Sequence, residues 1–390
     1  MMALVTVVKL LILGLTLGAV VFYLMCIIAA IRFFKGAGRE TGPSAEPPSV
    51  PVSLMVPLHG ADFEAYENYA SLCRQDYPEY QIVFGVRDES DTAVPIIRKL
   101  IADFPDRDLA LVIDAETIGQ NLKVSNLRNM LRAVKHEVIV IVDSDIRVGR
   151  DYLRNVVAPL ADERVGLVTC LYRSAEAPDF GAKLEAIGIT AEFMPGVLIA
   201  RMIEGVKFAL GSTIATTRAR LGSIGGFEAL ADYLADDFMM GNLVARSGYE
   251  VRLSSYVVET AMAPVGVRGM MRHQVRWGRS TRKSRPLGYL GLVVTHGTAL
   301  GLLYVAVDRA SPVSLLVLVS TLAVRLIMGW LIGVHWLRDG ILKRYFWMLP
   351  LRDVLSFVIW CLSMVGKRVE WRGRLFDIVG DGKIVEVAQD

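Results

Sequence analysis

Five short runs between residues 52 and 170, VSLMVP, YQIVFGV, LALVID, EVIVIVD and VGLVTC, are rich in β-branched and apolar residues and almost free of charge along their length. A strand without polar alternation has no face to offer to water, so each run needs cover on both sides, and helical stretches between several of them supply it. The pattern predicts an α/β fold whose catalytic-sized layer, over 51–265, holds a Rossmann-like, mostly parallel sheet. In such sheets ligands collect beyond the carboxyl ends of the strands. Asp88 follows YQIVFGV and Asp143 closes EVIVIVD, so both fall on one rim.

With 53% hydrophobic residues in 390, the chain is too apolar to be wholly soluble. Residues 10–31 form an uncharged run of 22, which at the helical rise covers about 33 Å and matches a bilayer core of about 30 Å. Arg32, Lys35 and Arg39 follow it, which places the next domain in the cytosol. The expected organisation is an N-terminal transmembrane anchor at 1–34, a linker at 35–50 stiffened by Pro43, Pro47 and Pro48, the α/β domain at 51–265, a basic interfacial helix at 266–286, and transmembrane helices with a tail at 287–390. Spans are expected at 287–307 and 313–337. The stretch 345–366, interrupted by Pro350, Arg352 and Asp353, spans, kinks or lies in the interface. Four spans would leave the basic tail GKRVEWRGR outside, against the positive-inside rule. Four scattered cysteines suggest neither a disulfide framework nor a zinc site. The net charge of +3 comes with no nucleic-acid-binding motif.

The chemistry concentrates in polar clusters. In IVDSDIRV, Asp143 and Asp145 stand at i and i+2. On an extended segment the two carboxylates would point the same way and share one divalent cation, Mg2+ or Mn2+, with its phosphates; a turn or a helix cap is the plainer alternative. Asp236 and Asp237 open ADDFMMG, where a carboxylate serves either as a base or as a helix cap. Asn121, Lys123 and Asn126 in GQNLKVSNL are suited to hold a nucleotide, or to start a helix capped by Asn121. Arg268, Arg272, Arg276, Arg279 and Lys283 keep one helical face without an acidic neighbour, a stripe that seeks phosphate or anionic lipid headgroups. The outer arginines, Arg282 and Arg285 among them, read as juxtamembrane charge, and Arg325 is a costly cation inside an apolar span that needs a partner such as Asp353.

VSLMVPLHG, QDYPEYQIVFGVRDESD, GQNLKVSNL, VIVIVDSDIRV, LADDFMMG, RHQVRW and WRGRLFDIV stand in an order and spacing that resemble the ceramide glucosyltransferases and their bacterial relatives that glycosylate hopanoid lipids. The resemblance runs from about residue 50 to the end. It implies a GT-A catalytic domain between membrane segments. It also implies a membrane-bound inverting transfer of a hexose, glucose or N-acetylglucosamine, from a UDP-sugar to a ceramide or hopanoid hydroxyl. By the same resemblance Asp88 meets the uracil ring, Asp143 and Asp145 the metal and diphosphate, and Asp237, with Asp236 its rival, takes the acceptor's proton. His273 and Gln274 join the nucleotide-sugar contacts, Arg276 and Trp277 border the diphosphate and acceptor, and the apolar stretch Leu184–Leu210 faces the acceptor. His273 departs from the Gln or Arg usual at that place, and Asp145 from the Gly of the animal enzymes. A processive polysaccharide synthase and a catalytically inactive lipid-binding protein are the competing classes. Arg-heavy, Lys-poor usage points to a GC-rich bacterial genome, hence an inner-membrane protein with its catalytic domain cytosolic.

Overall fold

The charge-poor runs become β1 (Val52–Pro57), β2 (Tyr80–Val86), β3 (Asp108–Ile113), β4 (Val138–Val142) and, after a two-residue β5 (Ile146–Arg147), β6 (Val165–Glu176). Two further strands, β7 (Thr213–Thr217) and β8 (Glu250–Ala261), complete a sheet of order β3-β2-β1-β4-β7-β6-β8-β5. This computed structural model describes residues 2–40 and 50–387. Most of the expected linker, including Pro43, Pro47 and Pro48, lies outside the described residues.

The sheet is mixed and mostly parallel: β3, β2, β1 and β4 run parallel, as do β6 and β8. β7 is antiparallel to both β4 and β6, and β5 is antiparallel to β8. Alternation within the apolar strands splits the core in two. Val52, Leu54 and Val56 of β1 join Val138, Val140 and Val142 of β4 on one face. Met55, Ile139 and Ile141 join helix residues Val124, Leu127 and Met240 on the other. Both faces are buried, which is why these runs carry no polar alternation.

The described chain divides into two compact units. One comprises 37–176, 204–263 and 383–390 and contains the large sheet; the other comprises 1–36, 177–203 and 264–382. The second holds the apolar helices. Four are long and apolar enough to cross a membrane: Ala3–Gly36, Phe180–Glu204, Pro312–Trp336 and Phe346–Ser363. The stretch expected to span at 287–307 forms a pair of helices, Pro286–Thr295 and Gly297–Val307, bent by 64° at His296, either a broken span or a re-entrant loop. Phe180–Glu204 was expected within the α/β domain, but its Leu184, Ile187 and Ala191 pack with Met270, Leu349 and Ile359 of the helical unit. The basic tail forms a hairpin of β9 (Arg368–Trp371) and β10 (Arg374–Val379), and β11 (Lys383–Glu386) bridges to Tyr233 in the sheet unit.

One close approach sets the rim of the sheet. The helix Asp236–Arg246 lies so near the chain before β7 that a Cβ on Gly241 would run into the backbone of Phe208 and Ala209. Backbone cannot give way as a side chain can. Gly241→Ala should therefore cost about 1–3 kcal/mol, the usual price of overpacking, read as a lower melting temperature of the detergent-solubilised protein. An unchanged melting temperature would show that this approach is not needed.

Candidate active site

Asp143 and Asp145 do not sit on an extended segment. β4 stops at Val142, and the Ile146 N–H donates to the Asp143 carbonyl at 3.2 Å, so residues 143–146 form a tight turn from β4 into β5. The cause is the path of the chain, which must reverse to pair β5 with β8. The turn still holds the two acids close. Asp145 is clamped from β8, since its carbonyl accepts from the Ala261 N–H at 2.8 Å and its carboxylate from the Thr260 hydroxyl at 2.8 Å. Burial and then the Asp143 charge push the Asp145 carboxyl up to about 7.

Asn121 caps the helix Leu122–Met130. Its Oδ1 accepts from the Lys123 and Val124 N–H groups, while its Nδ2 donates to the Tyr233 carbonyl at 2.8 Å and to Asp236 at 3.2 Å. The capping alternative is thus the one seen for Asn121. Asn126 is buried too, its Nδ2 donating to the Gly85 carbonyl at 2.8 Å. Lys123 extends to the rim, where its Nζ meets Asp143 at 2.6 Å and Asp236 at 3.8 Å. Burial alone would depress this ammonium, but the two carboxylates outweigh it and hold its pKa above the usual lysine range.

Asp236 and Asp237 open the helix Asp236–Arg246. Asp236 is buried and faces Asn121 and Lys123. Asp237 is half-buried; its Oδ1 accepts from the Phe238 N–H at 2.7 Å and its Oδ2 from the Gly211 N–H at 2.8 Å. Burial, then Asp236, push the Asp237 carboxyl up to about 6, against a pull from Lys123. Four acids and one lysine therefore meet in the sheet unit. Asp88 stays on the surface in a small turn, where the Ser90 hydroxyl and N–H, both at 2.7 Å, hold its carboxyl below the usual range.

These acids suit a divalent cation in donor type and charge. Their oxygens are hard ligands, and burial beside Asp143 leaves the Asp145 carboxyl raised, a cost that a cation would offset. Among the described residues no group of three or more His, Cys, Asp or Glu side chains is arranged to hold a metal ion.

The remaining motif lies in the helical unit, on the helix Gly266–Ser284. Trp277 is exposed and Arg276 half-buried. His273 Nδ1 is 3.8 Å from Glu185, and Gln274 is engaged by Glu185 at 3.5 Å and by Arg352 at 3.1 Å. The outer arginines are differently employed than expected. Arg279 donates to the carbonyls of Val365 and Arg368, and Arg282 to those of Met364 and Gly366. These carbonyls belong to the segment 364–368 that leads from the helix Leu349–Ser363 into β9, so the two guanidiniums pin that connection. Arg325 does pair with Asp353, through Nε at 3.2 Å and Nη2 at 2.7 Å, and the Thr298 hydroxyl completes that carboxylate.

Gly211, Thr260, Glu185 and Arg352 were not foreseen. Gly211 acts only through its backbone N–H, which leaves no side-chain signal, and Thr260 looks like any other strand residue.

Residues 12–384 match the family model for glycosyl transferase family 21. The chain belongs to that family. Among curated relatives, this family 21 chain is 26% identical over 259 residues to ceramide glucosyltransferase 1 of Caenorhabditis elegans, covering 66% of the chain and 55% of the relative. Ceramide glucosyltransferase 3 of the same organism is also 26% identical, covering 58% and 49%. A ceramide glucosyltransferase of Gibberella zeae is 30% identical over 125 residues, covering 30% and 24%. The chain spans about half the length of the first two. Among solved structures it resembles a mannosyltransferase from Pyrobaculum calidifontis in complex with GDP-Man and Mn2+, with TM-score 0.48 and 21% identity over 90% of this chain and 97% of that one. The resemblance to ceramide glucosyltransferases expected from the motifs is met by the family match.

Two outcomes follow from this geometry. Replacing Arg279 and Arg282 together by Gln should cost about 1–3 kcal/mol for each guanidinium whose carbonyl contacts are lost, lowering the melting temperature without changing affinity for anionic liposomes; weaker liposome binding at unchanged stability would return these arginines to the lipid. Asp237→Asn should stabilise the fold. A carboxyl raised to about 6 favours the folded state least once it is ionised, so the gain in melting temperature should be larger at pH 8 than at pH 4. Equal gains at both pH values would remove the buried charge as the cause.

Proposed function

We propose that this family 21 protein is an inverting glycosyltransferase that moves a hexose, glucose or N-acetylglucosamine, from a UDP-sugar to the hydroxyl of a membrane lipid, a ceramide or hopanoid. The crowding of Asp143, Asp145, Asp236 and Asp237 around Lys123 carries this reading, because a binding module gains nothing from four acids at an anionic nucleotide. Transfer to an alcohol needs a base beside the acceptor oxygen, and a carboxyl near 6 is ionised at neutral pH yet still basic enough to take a proton. Asp237 is assigned that role. The Gly211 N–H holds one of its oxygens, which fixes the carboxylate's direction, and attack opposite UDP inverts the anomeric centre.

Asp145, with Asp143, would hold Mg2+ or Mn2+, which when bound supplies positive charge against the diphosphate leaving group. Lys123 keeps Asp143 in place. Asp88 accepts from the uracil ring, and Arg276 and Trp277 border the diphosphate and acceptor. The four apolar helices support a membrane location, and the sheet unit is assigned to the cytosolic side of a bacterial inner membrane on the strength of Arg32, Lys35 and Arg39 after the first span.

Asp237→Asn should lower turnover by roughly 100-fold to 10,000-fold, the range for a positioned base, with UDP-sugar affinity nearly unchanged. Asp236→Asn should be milder, since an amide can still meet Asn121. An inactive Asp236 variant beside an active Asp237 variant would move the base to the neighbour. In wild type the rate should climb as pH passes about 6, and Lys123→Met should move that limb upward, because Lys123 now holds the Asp237 carboxyl down.

Asp145→Ala should leave a folded, membrane-bound protein with almost no transfer. EDTA should do the same to wild type, and added Mg2+ or Mn2+ should restore only the latter. Full activity in both the variant and the EDTA-treated enzyme rules the metal out.

A further inference from the structure

β1 and β2 lie side by side and parallel, so the loops that leave them, 58–64 and 87–93, emerge together on the rim where ligands collect. The roots of these loops are tied. The Leu58 N–H donates to the Gly85 carbonyl at 2.8 Å, and the buried Asn126 amide donates to the carbonyls of Gly85 at 2.8 Å and Leu58 at 3.4 Å. Those bonds fix where the loops begin and leave their further course open.

A second tie sets that course. Asp91 starts the helix Val94–Asp103: its carbonyl accepts from the Val94 N–H at 2.9 Å and its Oδ1 from the Ala93 N–H at 2.8 Å. A helix start needs nothing more. Yet the same carboxylate also reaches the β1 loop, where the Gly60 N–H lies 3.0 Å from Oδ1 and 2.9 Å from Oδ2, and beside it the Ala61 N–H donates to the Thr92 hydroxyl at 2.9 Å. Gly60 has a φ of +76°, so its N–H is presented to Asp91 by a backbone that a side chain would strain.

Asp88 stands at the other end of the same turn. The Asp91 N–H donates to the Asp88 carbonyl at 3.2 Å, and Ser90 holds the Asp88 carboxylate through its N–H and hydroxyl. Ser90 belongs to the turn and moves with it. The place of the turn on the rim therefore depends on its grip on the neighbouring loop, which is the contact between Asp91 and Gly60.

We propose that Asp91 is a positioning residue for the donor nucleotide: by gripping Gly60 it fixes the turn that carries Asp88, and so sets the reach of the Asp88 carboxylate toward the base. This rests on the assignment of Asp88 to the uracil ring and deepens it, since part of the base selectivity then lies in a residue that does not touch the base.

The test titrates the full chain in detergent micelles with UDP and with CDP. Uracil offers an N–H at N3 where cytosine has a lone pair, so a carboxylate aimed at that atom favours UDP. In Asp91→Asn an amide N–H must face one of the backbone N–H groups that the carboxylate now accepts from. That variant should bind UDP roughly 10-fold more weakly, the worth of a hydrogen bond, with CDP affinity nearly unchanged; a merely structural fault would weaken both alike. In an Asp88→Ala background the same change should cost UDP no more than about twofold, because the residue it acts through is gone. Should Asp91→Asn bind neither nucleotide, Thr92→Val, which cuts only the Ala61 tie, decides by the same comparison, with an expected loss for UDP of roughly 2-fold to 10-fold. An equal loss for UDP and CDP, an unchanged UDP affinity, or a full additional loss in the Asp88→Ala background overturns the proposal alone, provided that Asp88→Ala by itself loses the preference for UDP. A wild type without that preference, or an Asp88→Ala variant that keeps it, overturns the uracil assignment and the proposal with it.

Discussion

A single ammonium group organises the rim of the large sheet. Lys123 draws in Asp143, at the end of β4, and Asp236, at the start of a helix more than a hundred residues later in the chain. Unpaired, either acid would be an uncompensated charge in a partly buried place, an expensive arrangement. With Lys123 between them, strand end and helix start are held at one point, and Asn121 strengthens the junction by capping one helix while its amide reaches the other. Asp145 and Asp237 are then left with raised carboxyls at the edge of this cluster. The chemistry proposed for the protein uses the acids that the lysine does not directly neutralise.

How far this was legible depended on what each element does with its polar atoms. β1, β2 and β4 could be read because they are buried on both faces and so contain little but apolar residues, and the edge strand β3, only partly buried, was read from its apolar LALVI run. β7 and β8 could not, since TIATT and EVRLSSYVVETA mix threonines, serines and charges into an alternation that resembles loop or surface. The helix Phe180–Glu204 escaped notice as a span because Lys183, Glu185, Glu192 and Arg201 dilute its hydropathy. The carboxylate pair of IVDSDIRV was found for a partly mistaken reason: the acids are neighbours through a turn, and strand geometry has no part in it. Contacts made by backbone, as at Gly211, leave no trace in a residue string.

The arginine stripe shows the same limit from the other side. Periodicity correctly marked one helix with a cationic face over Gly266–Ser284. It could not say what that face meets. Arg279 and Arg282 donate to backbone carbonyls of the segment 364–368 within the same unit, and an anionic bilayer and a run of backbone carbonyls ask for the same cation, so the sequence does not tell them apart.

The chain passes between its two units at 36–37, 176–177, 203–204, 263–264 and 382–383. Neither unit is a continuous stretch, so no choice of two termini isolates one from the other. A fragment cut at 51 and 265 to free a soluble enzyme would carry the helix Phe180–Glu204 with it, stripped of Met270, Leu349 and Ile359, the partners that cover its apolar face. Such a fragment would expose an oily surface and aggregate. Removal of terminal anchors, the customary route to a water-soluble form of a membrane enzyme, is closed here by connectivity itself.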